Sequence, residues 1–211
     1  MSIIAFDCKT ANTKELSFSS YYSTLQLYQE DIASNFNMIL SYPANLPVFA
    51  QENPVDFWIN VDKTFKSTAK PCGLSLYSVF KAENYSNHDL LVKCKDFLSK
   101  TIKDKLPLNI WILESNNSHL YYFFMICSDI LCDTNASMSK SSFFNKSSLK
   151  RVDYLTDKDF VSGLRDSFFK VFDLKAKEID TSEYDYLISY DLKIISKVSR
   201  FVNRLTLAQN G

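Results

Sequence analysis

The sequence predicts an α+β fold: a largely antiparallel sheet of four or five strands packed with helices. Short segments alternate apolar and polar residues, which is typical of strands, and longer ones repeat apolar residues every three or four positions, which is typical of helices. The predicted order is β-α-β-β-α-β-β-α-α, and strands that follow each other in pairs favour antiparallel pairing. With 46% hydrophobic residues in 211, the chain can form a core of its own.

The first predicted elements lie before residue 62. Residues 2–6 are apolar and predict a short strand. Apolar residues then recur at three and four residue spacings over 23–40, which predicts an amphipathic helix. Three prolines over 41–54 predict a loop. Residues 55–61 alternate cleanly between apolar and polar side chains, which predicts a half-buried strand.

The middle of the chain predicts three more strands and a helix. Residues 74–80 form the first strand, and Ser86 with Asp89 has the form of a capping box that begins a helix. Residues 108–113 form the next strand. Residues 119–127 are apolar on both faces, so this strand is predicted in the middle of a sheet that is covered on both sides.

Two helices are predicted near the C-terminus, the first capped by Thr156 with Asp159 and the second over 182–207. The domain prediction is an α+β core, a flexible connection rich in Ser, Asn and Lys, and a helical pair packed on the core; these cover 1–133, 134–150 and 151–211. Whether 134–155 contains a further strand stays open.

Composition argues against several function classes. The three glycines, Gly73, Gly163 and Gly211, are too far apart to form a phosphate-binding loop. With 24 basic and 24 acidic residues, nothing global attracts the chain to nucleic acid or to an anionic membrane. The longest apolar run, 120–127, is too short to span a bilayer, so no membrane insertion is expected.

Cysteine and histidine usage predicts no metal, no cofactor and no catalytic residue. Five scattered cysteines and an N-terminus unlike a secretory signal favour reduced thiols in the cytoplasm. Cys127 and Cys132 are spaced too widely for a tight zinc knuckle, and His88 and His119 lie in unrelated elements. The alternative from another class is a hydrolase or transferase that uses Cys94, Cys127 or Cys132.

The candidate partner-binding residues are aromatic or basic. Trp58 falls on the polar side of its predicted strand, so either a helix covers it or it anchors a partner. Tandem aromatics, among them Tyr121, Phe143 and Phe144, point side chains in different directions, so half of each set is expected to meet another layer or another protein.

The predicted final helix carries four basic residues on one face: Lys193, Lys197, Arg200 and Arg204. They either complement the helix dipole or dock against an acidic partner surface. Contact with phosphate or nucleic acid through the same stripe is a third possibility, and it would weaken steeply with salt.

The element order over residues 20–175 resembles that of the small chaperones and adaptors of bacterial type III and type IV secretion systems. A rival resemblance, over 55–207, is to longin-like trafficking modules with one strand missing. Both resemblances imply scaffolding without chemistry. We therefore expect a non-enzymatic adaptor or chaperone-like subunit that forms a hetero-oligomer with other protein subunits, as in a secretion coupling complex.

Overall fold

The structure, a computed structural model, describes residues 2–27, 35–66, 70–82, 85–133 and 138–174. Within these ranges the chain forms strands and α-helices that we number separately in chain order. They are β1 Ser2–Ala11, α1 Phe18–Leu27, β2 Phe36–Ala44, α2 Pro54–Phe65, β3 Gly73–Lys81, α3 Asn87–Thr101, β4 Leu108–Ser115, β5 Tyr121–Ser128, α4 Lys140–Phe143 and α5 Lys158–Val171.

The strands form a five-stranded sheet in the order β1-β3-β5-β4-β2, and every neighbouring pair is antiparallel. The predicted fold class, an antiparallel sheet packed with helices, is therefore confirmed. Its element order is also retained, with one helix added between β2 and β3. Among the described helices, none is long and apolar enough to cross a membrane.

β5 is the central strand, and all eight of its side chains are buried. Tyr122, Phe124 and Ile126 face a core formed with α1 and α2, which we call the first core. Tyr121, Phe123, Met125 and Cys127 face a second core formed with α3 and α5. The prediction of a strand covered on both sides is confirmed. The tandem aromatics of this strand alternate between the two cores and need no partner protein to cover them.

The predicted strand at 55–61 is wrong, because these residues belong to helix α2. Pro54 stands in the first turn, where its fixed φ favours a helix and its missing N–H has no intrahelical acceptor. The alternation of apolar residues over 55–61 imitates a strand, but the side chains that are buried, Phe57, Trp58, Val61 and Phe65, have the spacing of one helical face. The longin-like order over 55–207 places a strand here, where the structure has helix α2.

The predicted helix over 23–40 is also wrong in its second half. α1 ends at Leu27, residues 28–34 lie outside the described part, and β2 begins at Phe36. The pairing of β2 with β4 shifts register between Met38 and Leu40. Because of this shift the apolar residues of β2 do not alternate regularly, and their spacing in the sequence resembles that of a helix. Pro43 is tolerated because β2 is an edge strand.

α1 begins at a carboxylate supplied by α2. Oδ1 of Asp62 accepts a hydrogen bond from the backbone N–H of Phe18 at 2.9 Å, and Oδ2 accepts one from that of Ser19 at 3.0 Å. The hydroxyls of Ser17 and Ser19 also donate to Oδ2, at 2.9 and 2.5 Å. Negative charge at this end complements the helix dipole, so Asp62 fixes α1 against α2.

The segment that precedes α5 is attached to the end of β5. Nε of Arg151 donates to both carboxylate oxygens of Asp129, at 2.9 and 3.0 Å, and its terminal nitrogen donates to Asp129 and to the carbonyl of Pro71. Asp129 is 1% exposed. Burial raises the pKa of Asp129, although Arg151 acts in the opposite direction.

The described part of 134–155 contains no strand, and an isolated antiparallel bridge joins Arg151 to Ile130, two residues after the end of β5. The predicted cap of the next helix is corrected by one residue. Asp157, not Thr156, accepts from the backbone N–H groups of Asp159 and Phe160, at 2.8 and 3.3 Å. The helix predicted over 182–207 lies outside the described residues.

The two described glycines lie in a strand and a helix, not in turns. A Cβ at Gly73 would collide with the backbone carbonyl oxygen of Cys127, so β3 and β5 need a glycine there to approach. Gly163 lies in α5 with nothing near its Cβ position. Left-handed backbone conformations are instead taken by Asn45, His119 and Asp173, at φ of 56°, 52° and 53°.

We expect replacement by alanine to have opposite effects on stability at the two glycines. Gly73→Ala should lower the free energy of unfolding by about 1–3 kcal/mol, because the methyl group forces the central strands apart. Gly163→Ala should raise it by about 0.5–1 kcal/mol, because alanine favours an exposed helix interior. Urea unfolding of both variants measures these two changes in the free energy of unfolding. A Gly73→Ala protein as stable as the wild type would contradict the close approach of β3 and β5.

Arg151→Met should lower the free energy of unfolding by about 3 kcal/mol near neutral pH, because it leaves the Asp129 carboxylate buried without its cation. Without Arg151 the pKa of Asp129 rises further above its ordinary 3.8, so the folded state binds a proton more readily than the unfolded one. The deficit should therefore shrink as the pH is lowered from neutral towards 3.8, the ordinary pKa of an aspartate, in denaturant titrations. The double variant Arg151→Met, Asp129→Asn is the control, and its stability should lack this pH dependence.

Candidate functional site

The structure places the predicted partner-binding aromatics largely inside the protein. Trp58 is fully buried under α1 and stacks on Phe18 with ring centroids 5.7 Å apart, so a helix covers it. Tyr121 is buried in the second core. Phe143 is buried at 9% exposure and Phe144 is half-buried, and both rings contact Phe57. None of the four offers a broad exposed aromatic face, whereas Lys193, Lys197, Arg200 and Arg204 lie outside the described residues.

The five thiols are free, and four of them are buried. Burial raises the pKa of Cys94 and of Cys132 to about 12, and it raises that of Cys127 well above its usual range. A nucleophilic cysteine needs the opposite shift, because the thiolate is the reactive form. The candidates for a cysteine-dependent hydrolase or transferase are therefore held as thiols in an apolar interior.

His88 and His119 are both exposed, His88 in the first turn of α3 and His119 in the β4–β5 turn. The nearest carboxylate oxygen to His119, on Glu114, is 3.9 Å from Nδ1. Neither histidine is positioned beside a buried thiol. Within the described ranges, no group of three or more His, Cys, Asp or Glu residues has the geometry to hold a metal ion.

A groove lies along the outer edge of β1. Its floor is the run of five residues from Phe6 to Thr10, and its wall is the face of α5 that carries Lys158, Val161, Ser162 and Arg165. The open volume between them is about 680 Å³. α5 is held over this edge by Phe6, whose ring centroid lies 5.6 Å from that of Phe168 and 5.8 Å from that of Phe169.

Among the strands that the structure describes, β1 is an edge strand, since β3 is its neighbour on one side and the sheet order ends with it. From Ala5 to Ala11 its pairing with β3 runs without a register shift. In an antiparallel pair, alternate N–H and C=O groups point away from the neighbour, so this stretch presents hydrogen-bonding groups to the groove. The opposite edge, β2, is blunted by Pro43 and by its register shift.

Positive charge predominates in the groove. Lys9, Lys158 and Arg165 line it together with one acidic residue, Asp7. Nζ of Lys9 lies 2.9 Å from Oδ2 of Asp7, so these two charges neutralise each other. The guanidinium of Arg165 lies over the ring of Phe169, 5.1 Å from its centroid. The remaining charges of the groove are the two cations of α5.

Sequence reasoning missed this groove. The spacing of Lys158, Val161, Ser162 and Arg165, three, one and three residues apart, places them on one helical face and was available as a signal. The edge position of β1 was not available, because it depends on pairing with a strand about seventy residues away.

A second concavity, of about 530 Å³, lies between the end of β5 and the α4 region. Its lining is mainly apolar and includes Leu131, Cys132, Met138 and Phe143. Lys105 and Lys150 lie at the same cavity, and Met138 is 46% exposed. Among the described residues, no unpaired strand edge lines this cavity as β1 lines the groove.

No protein-family model matches the sequence, and no curated protein matches it. The fold is similar to that of a chain in a solved structure described as the molecular basis of vancomycin resistance transfer in Staphylococcus aureus. The TM-score is 0.55 at 12% sequence identity, over 81% of this chain and 90% of that chain. Similarity at this identity shows a shared fold alone.

Cys8, which lines the groove and is half-buried, should be the first thiol to react in the folded protein, but slowly. Burial, with a smaller contribution from Asp7, raises its pKa from 9.0 to about 12, so the thiolate fraction at mild pH falls by about 1000-fold. The rate at which each thiol is alkylated is measured by a time course with iodoacetamide and peptide mass mapping. The denatured chain is the control. Rapid alkylation of Cys94, Cys127 or Cys132 in the native protein would instead indicate an activated nucleophile.

Proposed function

We propose that this protein is a non-enzymatic interaction subunit, an adaptor or chaperone-like component of a multiprotein assembly. It holds an extended segment of another protein subunit against the outer edge of β1. The observation that carries this proposal is the groove between the regular stretch Phe6–Thr10 of β1 and the adjacent face of α5. A strand added at a sheet edge gains main-chain hydrogen bonds, and a neighbouring groove selects its side chains.

The state of the reactive groups supports a binding role over a catalytic one. The thiols that a cysteine-dependent enzyme would use are buried and have raised pKa values, and the histidines are exposed on separate elements. The resemblance of the element order to secretion-system chaperones and adaptors points to the same class of work. The first and second cores already cover both faces of the sheet, which leaves the edges as the places for another chain to join.

Filling the groove tests the proposal without disturbing either core. Ser162 is exposed on the groove face of α5, whereas the adjacent Gly163 has open space around it and does not line the groove. Ser162→Trp should abolish co-purification of a stoichiometric partner from the native host, and Gly163→Trp should retain it. Light scattering coupled to size-exclusion chromatography measures the mass of each complex.

Two results would contradict the proposal. One is a wild-type protein that runs alone at 24.3 kDa and captures no stoichiometric subunit. The other is a complex that survives Ser162→Trp as well as it survives Gly163→Trp. Circular dichroism and unfolding midpoints of both variants establish that each is folded before the comparison is made.

A further inference from the structure

We infer that the segment bound at the β1 groove is acidic: an extended stretch of about five residues that places carboxylates against Lys158 and Arg165. This inference rests on the proposed function and adds the chemistry of the partner. The length follows from the floor of the groove, Phe6–Thr10, since an added strand pairs residue against residue. The charge follows from the side chains of the wall.

Among the described residues, Lys158 and Arg165 have no acidic partner in an ion pair. Both are exposed. The other two charges of the groove, on Lys9 and Asp7, are already paired. The ring of Phe169 lies under the guanidinium of Arg165 and restricts its position, so this cation is partly ordered before a ligand arrives.

The wall of the groove also gives the pattern of the ligand. Val161 lies between the two cations on the same helical face, so the wall is basic, apolar and basic along its length. Successive side chains of an added strand point to opposite faces of the sheet, and those of one set face α5. A segment that carries an acid at every second position directs its carboxylates towards Lys158 and Arg165 and keeps its main chain free for β1.

The observations favour a peptide over a nucleic acid. Two uncompensated cations are few against the six or more phosphate contacts, roughly, that support appreciable nucleic-acid binding. The floor of the groove is a row of backbone donors and acceptors at the spacing of a β-ladder, which a peptide main chain matches and a sugar-phosphate chain does not.

Three short labelled peptides test the inference on the full chain by fluorescence anisotropy. The first alternates Glu with Val, the second alternates Lys with Val, and the third is the Glu peptide with alternate backbone nitrogens methylated. The Glu peptide should bind, the Lys peptide should bind at least about tenfold more weakly, and methylation should remove binding because it removes the ladder donors. Binding should weaken as salt is raised.

Charge reversal on the protein is the matched test. The double variant Lys158→Glu, Arg165→Glu should bind the Glu peptide at least about tenfold more weakly than the wild type does, and it should bind the Lys peptide more tightly. Lys146→Glu with Lys170→Glu makes the same change in net charge at exposed positions outside the groove, and should alter binding less than about twofold. Bound Glu peptide should also slow the alkylation of Cys8.

Several results would overturn the acidic assignment. The Glu and Lys peptides could bind equally, the two charge-reversed proteins could show equal effects, or a single-stranded DNA oligonucleotide could bind more tightly in the groove. The alkylation rate of Cys8 could also stay unchanged when the Glu peptide is added and rise in the Lys158→Glu, Arg165→Glu protein. The last result would mean that a segment of this chain occupies the groove. If the peptides fail while Ser162→Trp still removes the native partner, the acidic assignment alone is wrong and the proposed function stands.

Discussion

The complete burial of β5 on both faces is the constraint on which the rest of the structure depends. A strand with apolar side chains on alternate faces is stable only between two apolar layers, and each such side chain contributes about 1.5–3 kcal/mol when it leaves water. The first core meets this requirement with α1 and α2, and the second core meets it with α3 and α5. The aromatic side chains of the described residues lie in these two cores or pack against them.

Polar contacts then fix the layers in place. Asp62 of α2 caps α1, and Arg151 attaches the approach to α5 to the end of β5 through Asp129. Lys93 of α3 donates to the carbonyl of Val171 and to Asp173 at the end of α5. α5 is thereby held at both ends, and it packs against β1 through Phe6. The groove lies between these two elements.

The parts of the fold that sequence predicted are those set by local chemistry. The Ser86 capping box forms as expected, and the run of apolar residues in β5 marks the centre of the sheet. The errors at 23–40 and 55–61 arose where one apolar spacing fits two periods, and there Pro54 and the register shift in β2 decided the outcome. The groove was not predictable, because an edge is defined by the absence of a neighbouring strand, which no local pattern records.

The position of β5 in the chain has a consequence for how the protein is made. β1 pairs with β3, β2 with β4, and both inner strands need β5, so only the β4–β5 pair joins consecutive strands. At about 5–20 residues per second, roughly 6–25 s separate the synthesis of β1 from that of β5. Throughout that interval the N-terminal strands are on the ribosome without the strand that organises them, so this chain depends on slow, non-local closure and is most open to mispairing while it is being translated.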